Sequence, residues 1–249
     1  MKITVVTVCY NAETQIEETI KSVLAQTHDD LEYIIIDGKS TDSTMNIIRK
    51  YTSGISKIVS EPDKGIYDAM NKGITLATGE YINFMNAGDT FSSPNVIKEV
   101  AERIAADSDI VYGDSTMIDY NGQRIQDKAG TDTEIISKKP IYRHNASFTR
   151  TLLHRKYPFD LYMKDIFRHA LDYNNIFTLW YNGARFQKVD VDVVTWDKKG
   201  TSDRHMLNIK LMYLISHQFR KPTMVERLTF VYDLVKASRR DLIRKLHSL

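Results

Sequence analysis

Residues 33–44 have the sequence YIIIDGKSTDST, in which an apolar run ends in an acidic residue and a cluster of hydroxyl and acidic side chains follows. The run is rich in β-branched residues, which favour a buried strand. The polar cluster lies directly before Ile47 and Ile48 and supplies residue types that cap the start of a helix. The segment therefore predicts a strand, a polar loop and a helix in succession.

The same succession occurs on both sides of this segment. An apolar strand is predicted over residues 3–9, and an amphipathic helix over residues 16–24 follows it. Further strands are predicted at 57–60, 80–85 and 109–113, and they alternate with helices at 65–77 and 95–106. Strands that alternate with helices form a mostly parallel sheet with helices on both faces, so the sequence predicts an α/β fold.

Beyond Gly113 the alternation stops. Two short segments, 115–120 and 123–128, flank Asn121-Gly122, a dipeptide that strongly favours a β-hairpin. A helix is predicted from about Ile166 to Trp180 and a strand from Phe186 to Val194. After a polar loop the chain is predicted to be helical to its end, with one break near Pro222.

Several predicted strands end in polar or acidic side chains, at Asn11, Asp37, Asp63 and Asp89. In open α/β sheets ligands bind beyond the carboxyl ends of the strands, so these side chains mark a candidate ligand site. Taken singly, each acid is equally explained as a helix cap or a solvated loop residue. The chain has no glycine-rich phosphate loop, so a diphosphate here would need a cation such as Mg²⁺ or Mn²⁺.

Three blocks of sequence, TVCYN at 7–11, YIIIDGKSTDST at 33–44 and EPDKGIYDAMNKG at 61–73, resemble family 2 glycosyltransferases of the GT-A fold. The resemblance covers about residues 1–205. It implies a Rossmann-like nucleotide-binding sheet and an inverting transferase that uses a nucleotide-sugar donor and Mn²⁺ or Mg²⁺. It further implies a nucleotide-sugar half at 1–114, an acceptor half at 115–205 and a helical tail at 206–249.

The resemblance also implies roles for individual donor-site residues. Tyr10 is placed against the nucleobase and Asp37 at the polar edge of that base, while Asp63 and Lys64 are placed near the nucleoside and phosphates. The donor-binding residues it implies are Val8, Tyr10, Asn11, Asp37, Asp63, Lys64, Asp68, Asn71, Asn86 and Ala87.

The predicted metal motif departs from the family pattern. Where the family commonly has Asp-x-Asp, this chain has Asn86-Ala87-Gly88-Asp89, so Asp89 is the one carboxylate of the loop. The donor's own phosphates can supply further oxygens. His205 is a possible additional ligand, although a lone histidine is more often a surface or packing residue.

A sugar hydroxyl that attacks an anomeric carbon must lose its proton, so a general base is required. The resemblance implies that Asp172 is this base, with Asp165 as the alternative. Asp172 is also explained as a helix-surface acid paired with Arg168 four residues earlier. His144 and Trp196 are predicted to line the acceptor site, although an aromatic ring such as Trp196 is equally suited to packing.

The tail differs in charge from the rest of the chain. The whole protein carries a net charge of +2, which is too small to indicate nucleic-acid binding. Residues 218–249, however, contain eight basic and three acidic residues. Apolar residues recur in the tail at helical spacing, which favours either docking on an anionic membrane surface or packing on the domain. The single cysteine, Cys9, fits a reducing compartment, so we expect a cytoplasmic protein, peripheral on the inner face of the membrane if the tail docks there.

These observations predict a glycosyltransferase that adds a sugar, carried by uridine or alternatively guanosine diphosphate, to a glycan or lipid-linked acceptor. The expected setting, implied by the resemblance, is bacterial capsule or lipopolysaccharide synthesis. Two other functions stay open. A catalytically idle binding or scaffold protein would explain the reduced metal motif, and a sugar nucleotidyltransferase would share the sheet and the metal, although its phosphate loop is missing here.

Overall fold

The computed structural model describes residues 1–167, 170–197, 205–219, 221 and 223–247. The strands of this part of the chain form one sheet. They are β1 (Ile3–Cys9), β2 (Leu31–Asp37), β3 (Lys57–Ser60), β4 (Tyr81–Phe84), β5 (Thr90–Phe91), β6 (Ile110–Ile118), β7 (Arg124–Asp127), β8 (Ser147–Arg150) and β9 (Phe186–Asp197). The helices are α1 (Ile16–Leu24), α2 (Thr44–Arg49), α3 (Ile66–Leu76), α4 (Val96–Ala101), α5 (Thr151–Lys156), α6 (Lys164–Phe167), α7 (Leu171–Tyr181), α8 (His205–Ser216) and α9 (Met224–His247).

The strands lie in the order β3-β2-β1-β4-β8-β6-β9-β5, and β7 pairs with β6. Strands β3, β2, β1 and β4 are parallel to one another, and β6 and β9 form a second parallel pair. Strand β8 is antiparallel to both of its neighbours and joins the two parallel groups. The predicted α/β fold, with a mostly parallel sheet and helices around it, is confirmed.

Both faces of the sheet are buried in the donor half. In β1, Ile3 and Val5 belong to one apolar cluster with α1, whereas Val6 and Val8 belong to a second cluster with α3. Helix α3 approaches the sheet closely at Gly73, where an added Cβ would lie 2.5 Å from Val6 Cγ1. Burial on two faces explains why these strands are continuous apolar runs in the sequence.

The predicted elements differ from the observed ones mainly in the acceptor half. Strand β6 extends to Ile118, and the predicted hairpin forms, with β6 and β7 in antiparallel register around Gly122. The helix predicted over 166–180 corresponds to two helices, α6 and α7, on either side of residues 168–169. Strand β8 and helix α5 were not predicted, because the strand is only four residues long and pairs with residues far away in the sequence.

The last two helices pack against each other. Tyr213 of α8 stacks on Phe230 of α9 with ring centroids 4.0 Å apart. Helix α9 begins with a capping box, in which Thr223 Oγ1 accepts from the Glu226 amide at 3.2 Å and the Glu226 carboxylate accepts from the Thr223 amide at 2.7 Å. Within the described ranges, no helix combines the length and the apolar character that crossing a bilayer requires.

Candidate donor and catalytic site

The loops after β1 and β2 are joined by hydrogen bonds at the carboxyl edge of the sheet. Asn11 has a left-handed backbone with φ of 47°, which asparagine tolerates well. Its amide donates to Ser40 Oγ at 2.8 Å, and its side-chain Oδ1 accepts from the Thr41 amide at 2.9 Å. The predicted donor-site residue Asn11 therefore fixes the shape of the neighbouring loop.

Asp37 is fully buried at the end of β2. Its carboxylate accepts from the Ser40 amide at 3.1 Å and from Ser60 Oγ at 2.6 Å. Through these hydrogen bonds Asp37 joins the loop after β2 to the end of β3. The same carboxylate, together with burial, raises the pKa of the Cys9 thiol, which stays protonated in the core.

Tyr10, Gly38 and Asp63 lie together at this edge, and we refer to them as the nucleoside cleft. The Tyr10 side chain is 62% exposed. A Cβ added to Gly38 would lie 2.5 Å from Asp63 Oδ2 and 3.4 Å from Tyr10 Cδ2, so the ring and the carboxylate both border Gly38. An aromatic face can stack on a base and a carboxylate can accept a ring N–H, which are the two contacts that a nucleobase offers.

The loop from Asp63 to Asp68 is built around its own carboxylates. Asp63 Oδ1 accepts from the Gly65 amide at 2.8 Å, and Asp68 Oδ2 accepts from the Lys64 amide at 2.9 Å. Gly65 has φ of 113°, a conformation that side-chain-bearing residues rarely adopt. The Lys64 side chain is exposed, and it borders a cavity of about 340 Å³ together with Asp68 and Asp165.

Two predicted donor-site residues serve the fold in this structure. Both polar atoms of the Asn71 side chain bond the backbone of Phe159, each at 2.9 Å, so Asn71 fixes the segment after α5. The Val8 side chain is buried in the core between β1 and α3. The side chains of Asn71 and Val8 therefore stabilise the elements that carry the site.

The motif predicted to bind metal forms a tight turn. The Asp89 amide donates to the Asn86 carbonyl at 2.9 Å, and Gly88 has φ of 100°, as a type II turn requires at its third residue. Ala87 occupies the second position, and its amide bonds the Val8 carbonyl at 3.3 Å. Thr19 of α1 holds the turn in place, since its hydroxyl accepts from the Gly88 amide at 3.0 Å and donates to the Asp89 carbonyl at 2.8 Å.

Asn145 contacts the predicted metal ligand directly. Its side-chain Nδ2 donates to Asp89 Oδ2 at 2.9 Å across the boundary between the two predicted halves. Burial raises the pKa of Asp89 to about 6, while the hydrogen bond from Asn145 lowers it. Asn145 was not among the predicted site residues, although it follows His144 in a segment that the sequence analysis connected with the acceptor.

The chemistry of this turn fits a hard divalent cation. Asn86 Oδ1 is buried and has no hydrogen-bond partner in the structure, and it lies in the same four-residue turn as the Asp89 carboxylate. Both are oxygen donors, and Mg²⁺ or Mn²⁺ commonly combines one or two protein oxygens with phosphate oxygens and water. Among the residues that the structure describes there is no cluster of three His, Cys, Asp or Glu side chains. The His205 side chain lies outside the described part.

Asp172, the predicted base, lies in the first turn of α7. The Tyr67 hydroxyl is within hydrogen-bonding reach of the backbone amides of Leu171 and Asp172, and the Asp172 charge helps burial to raise the pKa of Tyr67. The same charge raises the pKa of Tyr142. Tyr67 therefore connects the donor-side helix α3 to the proposed base. It belongs to the block at 61–73 but was not predicted as a site residue. Arg168, the alternative partner of Asp172, lies outside the described residues.

His144 packs inside the protein. Its ring stacks on Phe84 at 5.3 Å between centroids and meets the edge of Phe159 at 5.5 Å. Burial lowers the pKa of His144 to about 4, so the ring is neutral at pH 7. His144 belongs to the same 3-10 turn as Asn145, and its Nε2 is buried without a hydrogen-bond partner.

Trp196 lies in β9 with one face covered. The Arg143 guanidinium sits 4.3 Å from the ring centroid, and Arg143 Nε in turn donates to Asp127 at 3.0 Å. Beside it, a cavity of about 390 Å³ opens between the hairpin and α8. Tyr142 borders this cavity together with three cationic side chains, which are Lys128, Lys139 and Arg143.

Comparison with known proteins gives a consistent result. A family model described as glycosyl transferase family 2 matches residues 4–171. A PGL/p-HBAD biosynthesis glycosyltransferase of Mycobacterium bovis is 34% identical over 116 residues, which are 45% of this chain and 45% of that relative. The chain thus spans less than half the length of this curated relative.

Two solved structures share the fold. The mannosyltransferase PcManGT from Pyrobaculum calidifontis, in complex with GDP-Man and Mn²⁺, has a TM-score of 0.70 and 17% identity, with 96% of this chain and 73% of that chain covered. S. aureus TarS 1–349 in complex with UDP-GlcNAc has a TM-score of 0.66 and 18% identity, with 95% and 72% covered. At these identities the likeness shows the GT-A glycosyltransferase fold.

Proposed function

Because this chain belongs to glycosyl transferase family 2, we propose that it moves a sugar from a nucleoside diphosphate donor to an acceptor hydroxyl with inversion at the anomeric carbon. The observation that carries this proposal is the Asp89 turn, where a carboxylate and an unpartnered amide oxygen lie beyond the end of β4. The Tyr10 and Asp63 cleft lies beyond the ends of β1 and β3 at the same edge of the sheet.

The donor we propose is a uridine diphosphate sugar. Tyr10 would stack on the base, and Asp63, rather than the fully buried Asp37, would accept the ring N–H, since Tyr10 and Asp63 both lie beside Gly38. Lys64 is exposed beside this cleft and would meet the phosphates. Guanosine also offers ring N–H donors, and the two similar structures hold UDP-GlcNAc and GDP-Man, so guanosine stays the alternative.

Asp89 and Asn86 would hold the divalent cation, which when bound neutralises charge on the diphosphate leaving group. Asn145 keeps the Asp89 carboxylate oriented through its 2.9 Å hydrogen bond. Thr19 keeps the turn in place from α1. Each of these contacts is made within the protein itself, so the carboxylate is held in one orientation by its neighbours.

Asp172 would accept the proton of the attacking hydroxyl. Asp172 lies in the first turn of α7, and its charge acts on both Tyr67 of the donor-side helix α3 and Tyr142. Tyr142 in turn borders the 390 Å³ cavity. A single displacement needs no covalent nucleophile. The acceptor would enter from the acceptor half, and we propose a glycan or lipid-linked sugar of a bacterial surface polysaccharide as its class.

Slow hydrolysis of nucleotide sugars tests this proposal without a known acceptor. The wild-type chain with Mn²⁺ and a panel of UDP- and GDP-sugars should release free sugar and nucleoside diphosphate. Asp172→Asn should lower the release by roughly 100-fold, the usual contribution of a general base, while nucleotide binding persists. Asp165→Asn is the matched control and should retain the activity, because Asp165 is an exposed acid of α6.

Other outcomes identify the other functions. Formation of sugar 1-phosphate from nucleotide sugar and pyrophosphate would mean a nucleotidyltransferase. No turnover of any donor, combined with intact nucleotide binding, would mean an idle binding protein. Loss of activity in Asp165→Asn but not in Asp172→Asn would move the base to α6.

A further inference from the structure

Helix α9 exposes a row of apolar side chains. Met224, Val225, Leu228, Val231 and Tyr232 are 77%, 71%, 61%, 56% and 65% exposed, respectively. At 100° per residue they fall on one side of the helix. We refer to these five residues as the α9 stripe. A contiguous apolar patch of this kind on a protein surface marks an interaction site.

Two acidic residues in the described part of the same helix are turned inward. Glu226 and Asp233 are partly buried and border a groove of about 610 Å³ between α9 and α8. Phe230 fixes this orientation, because it stacks on Tyr213 of α8. An ordinary surface helix buries its apolar residues and exposes its charges, so the exposed apolar residues and partly buried acids of α9 depart from that arrangement in its described part.

Cations accompany the stripe on the exposed surface. Lys221, Arg227 and Lys236 are all exposed. In sequence, the apolar spacing continues through Leu242, Ile243 and Leu246, with Arg239, Arg240, Arg244 and Lys245 between and beside them. The helix therefore combines outward apolar residues with an excess of positive charge.

We propose that the α9 stripe docks in the plane of an anionic lipid bilayer. Apolar side chains would enter the boundary between headgroups and acyl chains, and the cations beside them would meet lipid phosphates. Charge complementarity selects this partner, because a second copy of the chain would bring two cationic surfaces together. No described helix can cross the bilayer, so the helix lies on its surface.

Docking has a consequence for the acceptor that rests on the proposed function. Val225 of the stripe also borders the 610 Å³ groove, and Lys139 borders both that groove and the 390 Å³ cavity beside Tyr142. The groove beside the α9 stripe and the cavity beside Tyr142 are therefore neighbours, with Lys139 at the border of both. A lipid-linked acceptor would reach the cavity from the bilayer, with Lys139 close to its phosphate.

Vesicle flotation of the full chain tests the docking. The wild type should float with phosphatidylcholine vesicles that contain phosphatidylglycerol and should stay unbound with phosphatidylcholine alone. In the double variant Leu228→Glu with Val231→Glu, the partition coefficient onto these vesicles should fall by roughly tenfold or more. The variant removes apolar side chains that would be buried in the bilayer and introduces negative charges that the anionic lipids repel. Leu152→Glu is the matched control, since Leu152 is 71% exposed on the distant helix α5 and should leave binding unchanged.

Folding and oligomeric state complete the test. Circular dichroism should show an unchanged fold in all variants. If the double variant does not fold, Arg227→Glu with Lys236→Glu replaces it and should weaken binding to anionic vesicles in a salt-dependent way. Equal flotation of wild type and folded variants would overturn the proposal. Absence of flotation by the wild type, with a stripe-dependent dimer in sedimentation velocity, would assign the stripe to a second copy.

Donor hydrolysis separates this proposal from the proposed function. Stripe variants that lose flotation should still hydrolyse the soluble donor at the wild-type rate. A wild-type chain that floats but never turns over a donor would support docking and contradict glycosyl transfer. A chain that turns over donor but never floats would support glycosyl transfer and contradict docking.

Discussion

Asn145 donates from its side-chain amide to Asp89 Oδ2 at 2.9 Å, so a residue just before β8 orients the carboxylate that ends the turn after β4. Strand β8 is antiparallel to β4 and lies between the two parallel groups of the sheet. The orientation of the Asp89 carboxylate therefore depends on a residue of the predicted acceptor half.

Asn145→Ala should weaken nucleotide binding that depends on Mn²⁺ by roughly 10- to 100-fold, the range expected for a hydrogen bond to a charged group. Isothermal titration with UDP and Mn²⁺ measures it. The variant should also raise the pKa of Asp89 further, because the hydrogen bond that lowers it is gone. Asn46→Ala, at an exposed position on α2, is the control and should bind as the wild type does.

Mn²⁺-dependent binding should fall on acidification. The pKa of Asp89 is raised to about 6, and a proton and a cation compete for its carboxylate. We expect apparent Mn²⁺ affinity to be constant above about pH 7 and to decline by up to about tenfold per pH unit below 6. An affinity that is flat down to pH 5 would place the cation elsewhere.

Asp89→Asn should stabilise the protein without metal. A carboxyl whose folded pKa is raised contributes stability that is present below its unfolded value of 3.8 and lost as pH rises through about 6. At pH 7 the charged carboxylate therefore costs on the order of 3 kcal/mol, which the neutral amide avoids. Thermal unfolding at pH 7.5 in chelator should give a higher midpoint for the variant, and adding Mn²⁺ with UDP should stabilise only the wild type.

Gly38→Ala should impair the nucleoside cleft while leaving the fold intact. The new Cβ would lie 2.5 Å from Asp63 Oδ2, so the partly exposed Asp63 must move and the space against Tyr10 narrows. We expect UDP affinity to fall by at least about tenfold, the cost of losing one charged hydrogen bond, with a thermal midpoint close to that of the wild type. An unchanged UDP affinity would contradict the assignment of Gly38 and Asp63 to the nucleoside cleft.

The protein should lose stability in acid through two buried histidines. Burial lowers the pKa of His144 to about 4 and of His154 to about 3, below the ordinary value of 6.5. The unfolded chain then binds more protons between pH 6.5 and 4, so this stability is present above 6.5 and is lost as pH falls. His154→Leu should reduce the slope of unfolding free energy against pH by up to about 1.4 kcal/mol per unit in that window. Urea titrations at pH 7, 6 and 5 measure the slope, and an unaltered slope would contradict the prediction.

The donor half could be predicted from sequence because its pattern is local. Strands β1 and β2 are continuous apolar runs bounded by polar loops, and burial on both faces is what such runs indicate. The polar residues that follow β1 and β3 were likewise expected at one edge of the sheet, because the carboxyl ends of parallel strands meet there. The structure brings Tyr10 and Asp63 to Gly38.

The contacts between distant segments could not be predicted in this way. Asn145 meets Asp89 across 56 positions, and the short strand β8 that positions it carries little apolar pattern of its own. Thr19 lies in the middle of an amphipathic helix, where nothing marks it as the residue that holds the Asp89 turn. His144 was expected to meet an acceptor, yet its position among Phe84 and Phe159 is a matter of packing, which one sequence does not reveal.

We propose that Asp89 and its turn bind a nucleoside diphosphate together with a divalent cation. Isothermal titration of the wild type and Asp89→Asn with UDP, GDP, ADP and CDP, each with Mn²⁺ and again with chelator, tests this most directly. We expect tight binding of one of these nucleotides, which chelator abolishes and Asp89→Asn removes. Binding that is equal with chelator, or equal in Asp89→Asn, would contradict it.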